Sequence, residues 1–317
     1  MCNVAVIGCG NMGQIHIRAY EALEEAALVA VCDPNIDHVQ SAMKNNKLRH
    51  YSTVADMLEH EALDAVSICV PTSQHFDVAT QCMDKNISVL VEKPIAKSMD
   101  EATALVAYAN QKNVTLTVGH IERFNPAILK AKAFIDNGHL GNIHAIHCKR
   151  YGPFPKQIKD ADVMLDVAVH DIDIAQFLVN STLVKTTTFT HHIHCDDRAD
   201  YGHLMLKFEP NLMVNIHVSW ALPFKKREVE IIGDKGIAII DCIKQSLSYY
   251  PVNVDKGTDY VALPVVDETV IEVVKKDPII EECRSFLNAV KHNSPPFVCP
   301  EQATEALALA LSIPSHF

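Results

Sequence analysis

The chain has 317 residues, 48% hydrophobic and 21% charged, and a formal charge of −11. That length divides into about two domains, each able to bury its own core. The acidic balance argues against nucleic acid or an anionic membrane as partner, because both call for a basic footprint. An anionic small molecule in a locally basic pocket remains compatible with it.

No stretch reaches the ~20 apolar residues that span a bilayer. Met1 leads straight into the apolar run Val4–Ile7 without a basic leader, so no secretory signal is expected. Ten cysteines run from Cys2 to Cys299 without CxxC spacing. Cys32 and Cys69 sit inside apolar strand patterns. Such thiols read as reduced core residues of a cytoplasmic protein, not as a disulfide framework.

From residue 3 to about 118, strand and helix alternate. Val4–Ile7, Leu28–Cys32, Ala65–Val70, Val89–Val91 and Thr115–Val118 read as buried strands. Gln74–Asp84 has helical spacing, as does Met99–Asn110, which opens with Ser98 and Glu101 as a capping box. This alternation predicts a parallel sheet covered on both faces, a Rossmann domain over residues 1–121. After residue 120 the pattern changes. Helices are expected at Asn125–Asp136 and Asp166–Leu178, then strands at Thr186–His194, His203–Phe208, Met213–Trp220, Glu228–Ile232, Ile237–Cys242 and Val270–Val274. Helices at Pro278–Val290 and Glu301–Leu311 close the chain. Residues 122–317 therefore read as an α+β domain with a mostly antiparallel sheet. The overall class is α/β.

Gly8-Cys9-Gly10-Asn11-Met12-Gly13 follows the first strand and opens a helical pattern, and Asp33 ends the next strand twenty residues after Gly13. GxGxxG alone is a weak signal; this context makes it a dinucleotide-binding motif. Gly8 permits the turn, Gly10 admits the pyrophosphate, and Gly13 lets helix and strand approach. The amides at Asn11 and Met12 face the phosphates at the helix N-terminus. Asp33 suits free ribose hydroxyls and repels a 2′-phosphate, and Pro34 follows it with no arginine nearby. NAD is accordingly preferred over NADP.

Glu92-Lys93-Pro94 ends the fifth strand. With the N-terminal glycines and His16, it resembles the Gfo/Idh/MocA oxidoreductase family over essentially the whole chain. The resemblance implies that the sheet of residues 122–317 is open and that this domain serves substrate binding and oligomerisation. That family's second signature, Asp-x-x-x-His, appears as Asp166 to His170, with Ala168 where many members have glycine. The resemblance implies catalysis by Lys93, His170 and Asp166. It adds Pro71, Thr72, His75, Glu92 and Lys93 to the expected cofactor contacts. The residues themselves agree in part. Lys93 stands at the carboxyl edge of a parallel sheet, where its ammonium can meet a substrate hydroxyl. Asp166 and His170, four apart, share a helix face, and histidine suits proton transfer near neutral pH. Asp173, three further on, is a candidate to hold the imidazole. Which of Lys93 and His170 is the general base is open at this level, as is the isomer of Pro94.

Three further segments, Gly119–Pro126, Arg150–Pro155 and Val169–Ile174, resemble the branch of that family that oxidises the 3-hydroxyl of UDP-N-acetylglucosamine. The related uronate is an alternative, as is another sugar or an inositol. A catalytically silent NAD-binding sensor is the alternative from another class. The branch implies a PLP-dependent aminotransferase as a pathway partner, leading to an amino sugar of lipid A or another surface glycan. Substrate contacts are expected from Lys93, Arg123, Asn125, Arg150, Tyr151, Asp166 and His170, with Lys149 beside the diphosphate path. No metal site is expected: in a strand, His192 and His194 of His191–Cys195 face away from His191 and Cys195. A homo-oligomer, dimer or tetramer, is expected through the second sheet, with Val214, Ile216 and Val218 as its apolar alternation.

Overall fold

The computed structural model describes residues 1–42, 48–155, 162–179, 181–252 and 267–312. Two compact units divide the chain, one of residues 1–124 with 276–308 and one built on residues 125–275.

Among the described residues, the first unit carries six strands: β1 (Cys2–Ile7), β2 (Ala26–Cys32), β3 (Arg49–Tyr51), β4 (Ala65–Ile68), β5 (Ser88–Glu92) and β6 (Leu116–Gly119). Their order is β3-β2-β1-β4-β5-β6, and every pairing is parallel. This is the Rossmann order, with its switch point between β1 and β4. Helices alternate with these strands: α1 (Asn11–Glu21), α2 (Ile36–Ala42), α3 (Val54–His60), α4 (His75–Asp84) and α5 (Met99–Lys112). The capping box forms as expected, since Ser98 accepts a hydrogen bond from the Glu101 amide at the start of α5. Strand alternation sends Val4 and Val6 into one apolar cluster and Ala5 and Ile7 into the other.

The second unit holds an eight-stranded sheet: β7 (Ile143–Pro153), β8 (Leu183–His191), β9 (Tyr201–Phe208), β10 (Leu212–Ser219), β11 (Ala221–Gly233), β12 (Gly236–Asp241), β13 (Ser246–Pro251) and β14 (Thr269–Ile271). Its order is β14-β13-β12-β11-β7-β10-β9-β8. Among the described residues, only β7 and β10 pair in parallel; the other pairings are antiparallel. Helices α6 (Pro126–Asp136) and α7 (Val169–Leu178) pack on it. Alternation along β7 and β10 buries Ile146, Cys148, Val214, Ile216 and Val218 and leaves His147, Lys149, Asn215 and His217 half-buried on the opposite face. The expectation that Val214, Ile216 and Val218 form a subunit interface is therefore corrected. All three are fully buried in the unit's own core. An apolar alternation identifies a covered face without saying what covers it.

The chain closes with α8 (Pro278–His292) and α9 (Pro300–Leu311). Ile279, Cys283, Phe286 and Leu287 of α8 share a core with Val4, Val6, Ile17 and Tyr20. Val298, Ala303 and Leu307 join the other Rossmann core. Residues 276–308 thus belong with the first unit, whereas the sequence division at 121/122 put them in the second. Their helical periodicity was legible, but a stripe of apolar residues does not name the sheet it packs on.

Candidate active site

The turn after β1 is shaped by its glycines. Gly8 has a φ of +90°, and a Cβ there would lie 2.6 Å from the Cys69 carbonyl oxygen. A Cβ on Gly13 would lie 1.8 Å from the Gly8 carbonyl oxygen, so the first turn of α1 sits directly on the loop. Above Gly10 the space is open, with nothing within 4 Å of the point where a methyl would stand. No side chain caps the N-terminus of α1. The open approach at Gly10, at the positive end of a helix whose first amides have no intrahelical partner, fits a pyrophosphate.

Asp33 is buried at the end of β2. Its Oδ2 accepts from the Cys9 amide at 2.7 Å and lies 3.3 Å from His38 Nδ1, while Oδ1 accepts from the Asn35 amide at 2.8 Å. The carboxylate that would take the ribose hydroxyls is therefore locked to the glycine turn that would take the phosphates. Burial, with Asp33 adding to it, pushes the Cys9 thiol up to about 12. Cys9 is a packing residue and not a nucleophile.

Lys93 follows β5 and is half-buried, and its bond to Pro94 is cis. Glu92 and His75 were expected to touch the cofactor. Both are buried, and their polar atoms go to the protein. Glu92 Oε1 lies 2.9 Å from His16 Nε2, and Oε2 accepts from the Lys93 amide at 3.2 Å. Burial opposes ionisation of Glu92, but the hydrogen bond and charge of His16, with Lys93, outweigh it and hold its carboxyl below the ordinary range. His75 Nδ1 lies 2.9 Å from the Pro94 carbonyl and Nε2 lies 3.0 Å from that of Val70. Its burial lowers its basicity despite those carbonyls. Pro71 and Thr72 open the short 3-10 turn before α4, Pro71 exposed and Thr72 half-buried.

In the second unit, Asp166 and His170 are both half-buried. A π-helical turn, Met164–Ala168, carries Asp166 and leads into α7, which carries His170. Such wide turns concentrate at functional sites. Asp173 is buried at 1% exposure.

Four expected substrate contacts, Arg150, Tyr151, Arg123 and Asn125, and Lys149 beside them, have partners within the protein. Arg150, at 4% exposure, gives its guanidinium to Asp171, with Nε at 3.0 Å from both carboxylate oxygens and Nη2 at 2.8 Å from one. Tyr151 and Lys149 lie on the other face of β7. Tyr151 hydrogen-bonds His217 Nδ1 at 2.9 Å, and Lys149 sits between Glu228 and Glu230 at 3.2 and 2.6 Å. Strand alternation therefore prevents Lys149, Arg150 and Tyr151 from lining one path. Arg123, at 1% exposure, donates from Nη1 to Gln302 at 2.6 Å. Asn125 caps α6 and donates to the Cys242 carbonyl at 2.9 Å. The side chains that sequence reasoning assigned to a ligand are thus engaged within the protein in this structure. Of the His191–Cys195 segment, only His191 lies in a strand. His192 Nδ1 turns back to the Cys195 carbonyl at 3.0 Å.

The residues that sequence reasoning left without a role are Tyr20, Ser67, Glu282 and Cys283, with His16 quoted only for resemblance. Their signal was present: His16 interrupts the buried stripe Gly13-Ile17-Tyr20 of α1, and Glu282 lies within that of α8. A polar residue in a buried stripe has a partner.

A parallel sheet in Rossmann order, a glycine turn tied to an acidic strand end and a lysine at the carboxyl edge define a dinucleotide-dependent oxidoreductase. Residues 2–120 match the oxidoreductase family with an NAD-binding Rossmann fold, and residues 128–239 match the GFO/IDH/MocA C-terminal domain. The chain belongs to the Gfo/Idh/MocA family, and its cofactor is NAD. It is 28% identical to a UDP-N-acetylglucosamine 3-dehydrogenase of Acidithiobacillus ferrooxidans, over 97% of this chain and 95% of the relative. A solved structure of a UDP-N-acetylglucosamine 3-dehydrogenase from that organism superposes with a TM-score of 0.87 at 27% identity, covering 98% of this chain and 96% of that one. A myo-inositol 2-dehydrogenase of Thermotoga maritima is 23% identical over 96% of this chain and 93% of its own length. No helix among the described residues is long and apolar enough to cross a membrane.

Proposed function

We propose that this oxidoreductase oxidises the 3-hydroxyl of UDP-N-acetylglucosamine to the 3-keto sugar. The secondary alcohol loses a hydride from C3 and a proton from its oxygen, giving ketone, NADH and H⁺. NAD, when bound, supplies the hydride acceptor. Lys93 donates a hydrogen bond to the reacting oxygen and stabilises the developing alkoxide, and His170 takes the hydroxyl proton, as suits an imidazole near neutral pH. Asp166 orients a neighbouring sugar hydroxyl. The single observation that carries the chemistry is the placement of Lys93 directly after Glu92, at the carboxyl end of β5, with the Pro94 carbonyl held by His75. The choice of sugar nucleotide is supported by likeness to the Acidithiobacillus enzyme over nearly the full length of both chains.

A second reading, an inositol or other polyol dehydrogenase, draws on one observation. Arg150 is paired with Asp171 and Lys149 with Glu228 and Glu230, so these two cations are already neutralised within the protein. The test is NADH formation, followed by absorbance, with UDP-N-acetylglucosamine, its uronate, myo-inositol and scyllo-inositol in parallel. A PLP-dependent aminotransferase with its amino donor is added to draw off ketone. Turnover of the UDP-sugar supports the first reading; turnover of an inositol alone overturns it.

The product is a ketone suited to amination, so such an aminotransferase is the proposed next enzyme. All ten cysteines are free thiols, which suits a cytoplasmic location. A dimer or tetramer through the sheet face that carries Phe189, which is 62% exposed, is the proposed assembly.

A further inference from the structure

His16 is completely buried. Its Nε2 faces Glu92 Oε1 at 2.9 Å, and since an ionised carboxylate only accepts, Nε2 carries the hydrogen. His16 Nδ1 lies 3.2 Å from the Ser67 hydroxyl, and that hydroxyl lies 2.7 Å from the Tyr20 hydroxyl. Three contacts thus link Tyr20, Ser67, His16 and Glu92 in one buried line. Helix α8 closes the cluster. Cys283 Sγ lies 3.8 Å from His16 Nδ1, and a Glu282 carboxylate oxygen lies within 4.8 Å of ligand atoms of both His16 and Glu92. The neighbouring strand makes room: Gly119 pairs with Glu92, and a Cβ on it would stand 3.0 Å from Glu92 Oε1.

We propose that this buried network is a positioning unit for Lys93, with His16 and Glu92 as its working pair. The proposal rests on the reading of Lys93 as catalytic. Glu92, fixed through Oε1 by His16, receives the Lys93 amide on Oε2 at 3.2 Å. On the far side, His75 Nδ1 lies 2.9 Å from the Pro94 carbonyl and, in the tautomer with the hydrogen on Nδ1, donates to it. Buried imidazoles therefore grip the backbone before and after the lysine, the first through a carboxylate and the second directly. The ammonium sits at the end of a flexible four-carbon stem, so the stem's origin must be fixed elsewhere. His16 also lies on α1, the helix whose leading amides face the pyrophosphate position. One rigid element thus sets both the height of the cofactor and the anchor of the lysine, and relative placement within about 0.5 Å is what such a site needs.

The test uses the full chain and whichever alcohol it turns over. His16→Leu removes the donor to Glu92, and His16→Gln retains an N–H. Tyr20→Phe removes one hydroxyl and preserves packing, should His16→Leu fail to fold. A misplaced lysine costs up to about 100-fold in kcat. The expected pattern is a kcat fall of that order for His16→Leu, a clearly smaller one for His16→Gln and for Tyr20→Phe, and an unchanged KM. The NAD dissociation constant from calorimetry also stays unchanged. In the protein without cofactor, the rate of Lys93 reductive methylation, read by peptide mass spectrometry, changes in His16→Leu and returns towards wild type in His16→Gln. Losses of kcat that merely track the folded fraction, or equal losses in KM and NAD affinity, overturn the proposal. Lys93→Ala is run beside them. If it is inactive while the three network variants keep wild-type kcat and wild-type Lys93 methylation, the positioning unit alone is refuted. If Lys93→Ala turns over normally, the catalytic reading of Lys93 falls and takes this proposal with it.

Discussion

Arg150→Met is expected to destabilise the second unit by about 3–5 kcal/mol, the usual cost of stranding one member of a buried ion pair. The structure sets that magnitude. Three contacts of 2.8–3.0 Å join Arg150 to Asp171, and both residues are at or below 4% exposure. Removing the guanidinium leaves a desolvated carboxylate whose nearby charge partner is gone. Asp171→Leu should cost a comparable amount for the same reason. The double variant should be far less damaged than the sum of the two, because an apolar pair fills the volume without a charge to strand. Urea unfolding of the four proteins gives the coupling energy directly. Arg150→Lys, which keeps a charge but loses the fork, should fall between wild type and Arg150→Met. Additive effects in the cycle would refute the reasoning. So would an Arg150→Met protein of native stability whose only defect is a raised KM, since that would return Arg150 to the substrate.

The two glycines should part company. Gly13→Ala places a methyl 1.8 Å from the Gly8 carbonyl oxygen and should lower the melting temperature, whereas Gly10→Ala meets nothing within 4 Å and should melt as wild type. Gly10→Ala should still bind NAD at least tenfold more weakly by calorimetry, since its methyl stands in the pyrophosphate approach; equal affinity would contradict that placement. Asp33→Ala should lose a charge-assisted hydrogen bond to the ribose, about 1.5–3 kcal/mol or roughly a tenfold or greater loss of NAD affinity. NADP should lose less, and an unchanged ratio of NAD to NADP affinity would refute the role of Asp33. For Glu92, the folded carboxyl lies below its ordinary value of 4.5. Its stabilisation is therefore complete above that value and is lost as pH falls through the lower folded one. Glu92→Gln should be less stable at neutral pH and show a flatter fall of urea midpoint on acidification; a parallel curve would contradict this.

Much of the first unit was legible because a buried parallel strand is nearly continuous apolar sequence. Val4–Ile7 and Ala65–Ile68 are examples, and the glycine turn and Asp33 punctuate the first of them. Short or polar elements were not. β3 has only three residues, Arg49–Tyr51, and β7 carries Arg150 on its inward face, so its alternation reads as charged where it is buried. Arg123 and Asn125 show the same limit at the site. Their chemistry matches a ligand or a structural tie equally well, and linear sequence does not bring Gln302 or the Cys242 carbonyl beside them. Ser67 and Glu92 belong to strands, not to the helix that carries His16 and Tyr20, and nothing in linear spacing brings them to that pair.

The most direct test of the proposed activity is the product formed from UDP-N-acetylglucosamine and NAD, with the aminotransferase and its amino donor present to pull the reaction forward. Mass spectrometry should find the UDP-sugar with an amino group in place of its 3-hydroxyl, together with stoichiometric NADH, and neither should form with Lys93→Ala. An unmodified UDP-sugar, alongside NADH formation from an inositol, would contradict the assignment and leave the chain a polyol dehydrogenase of the same family.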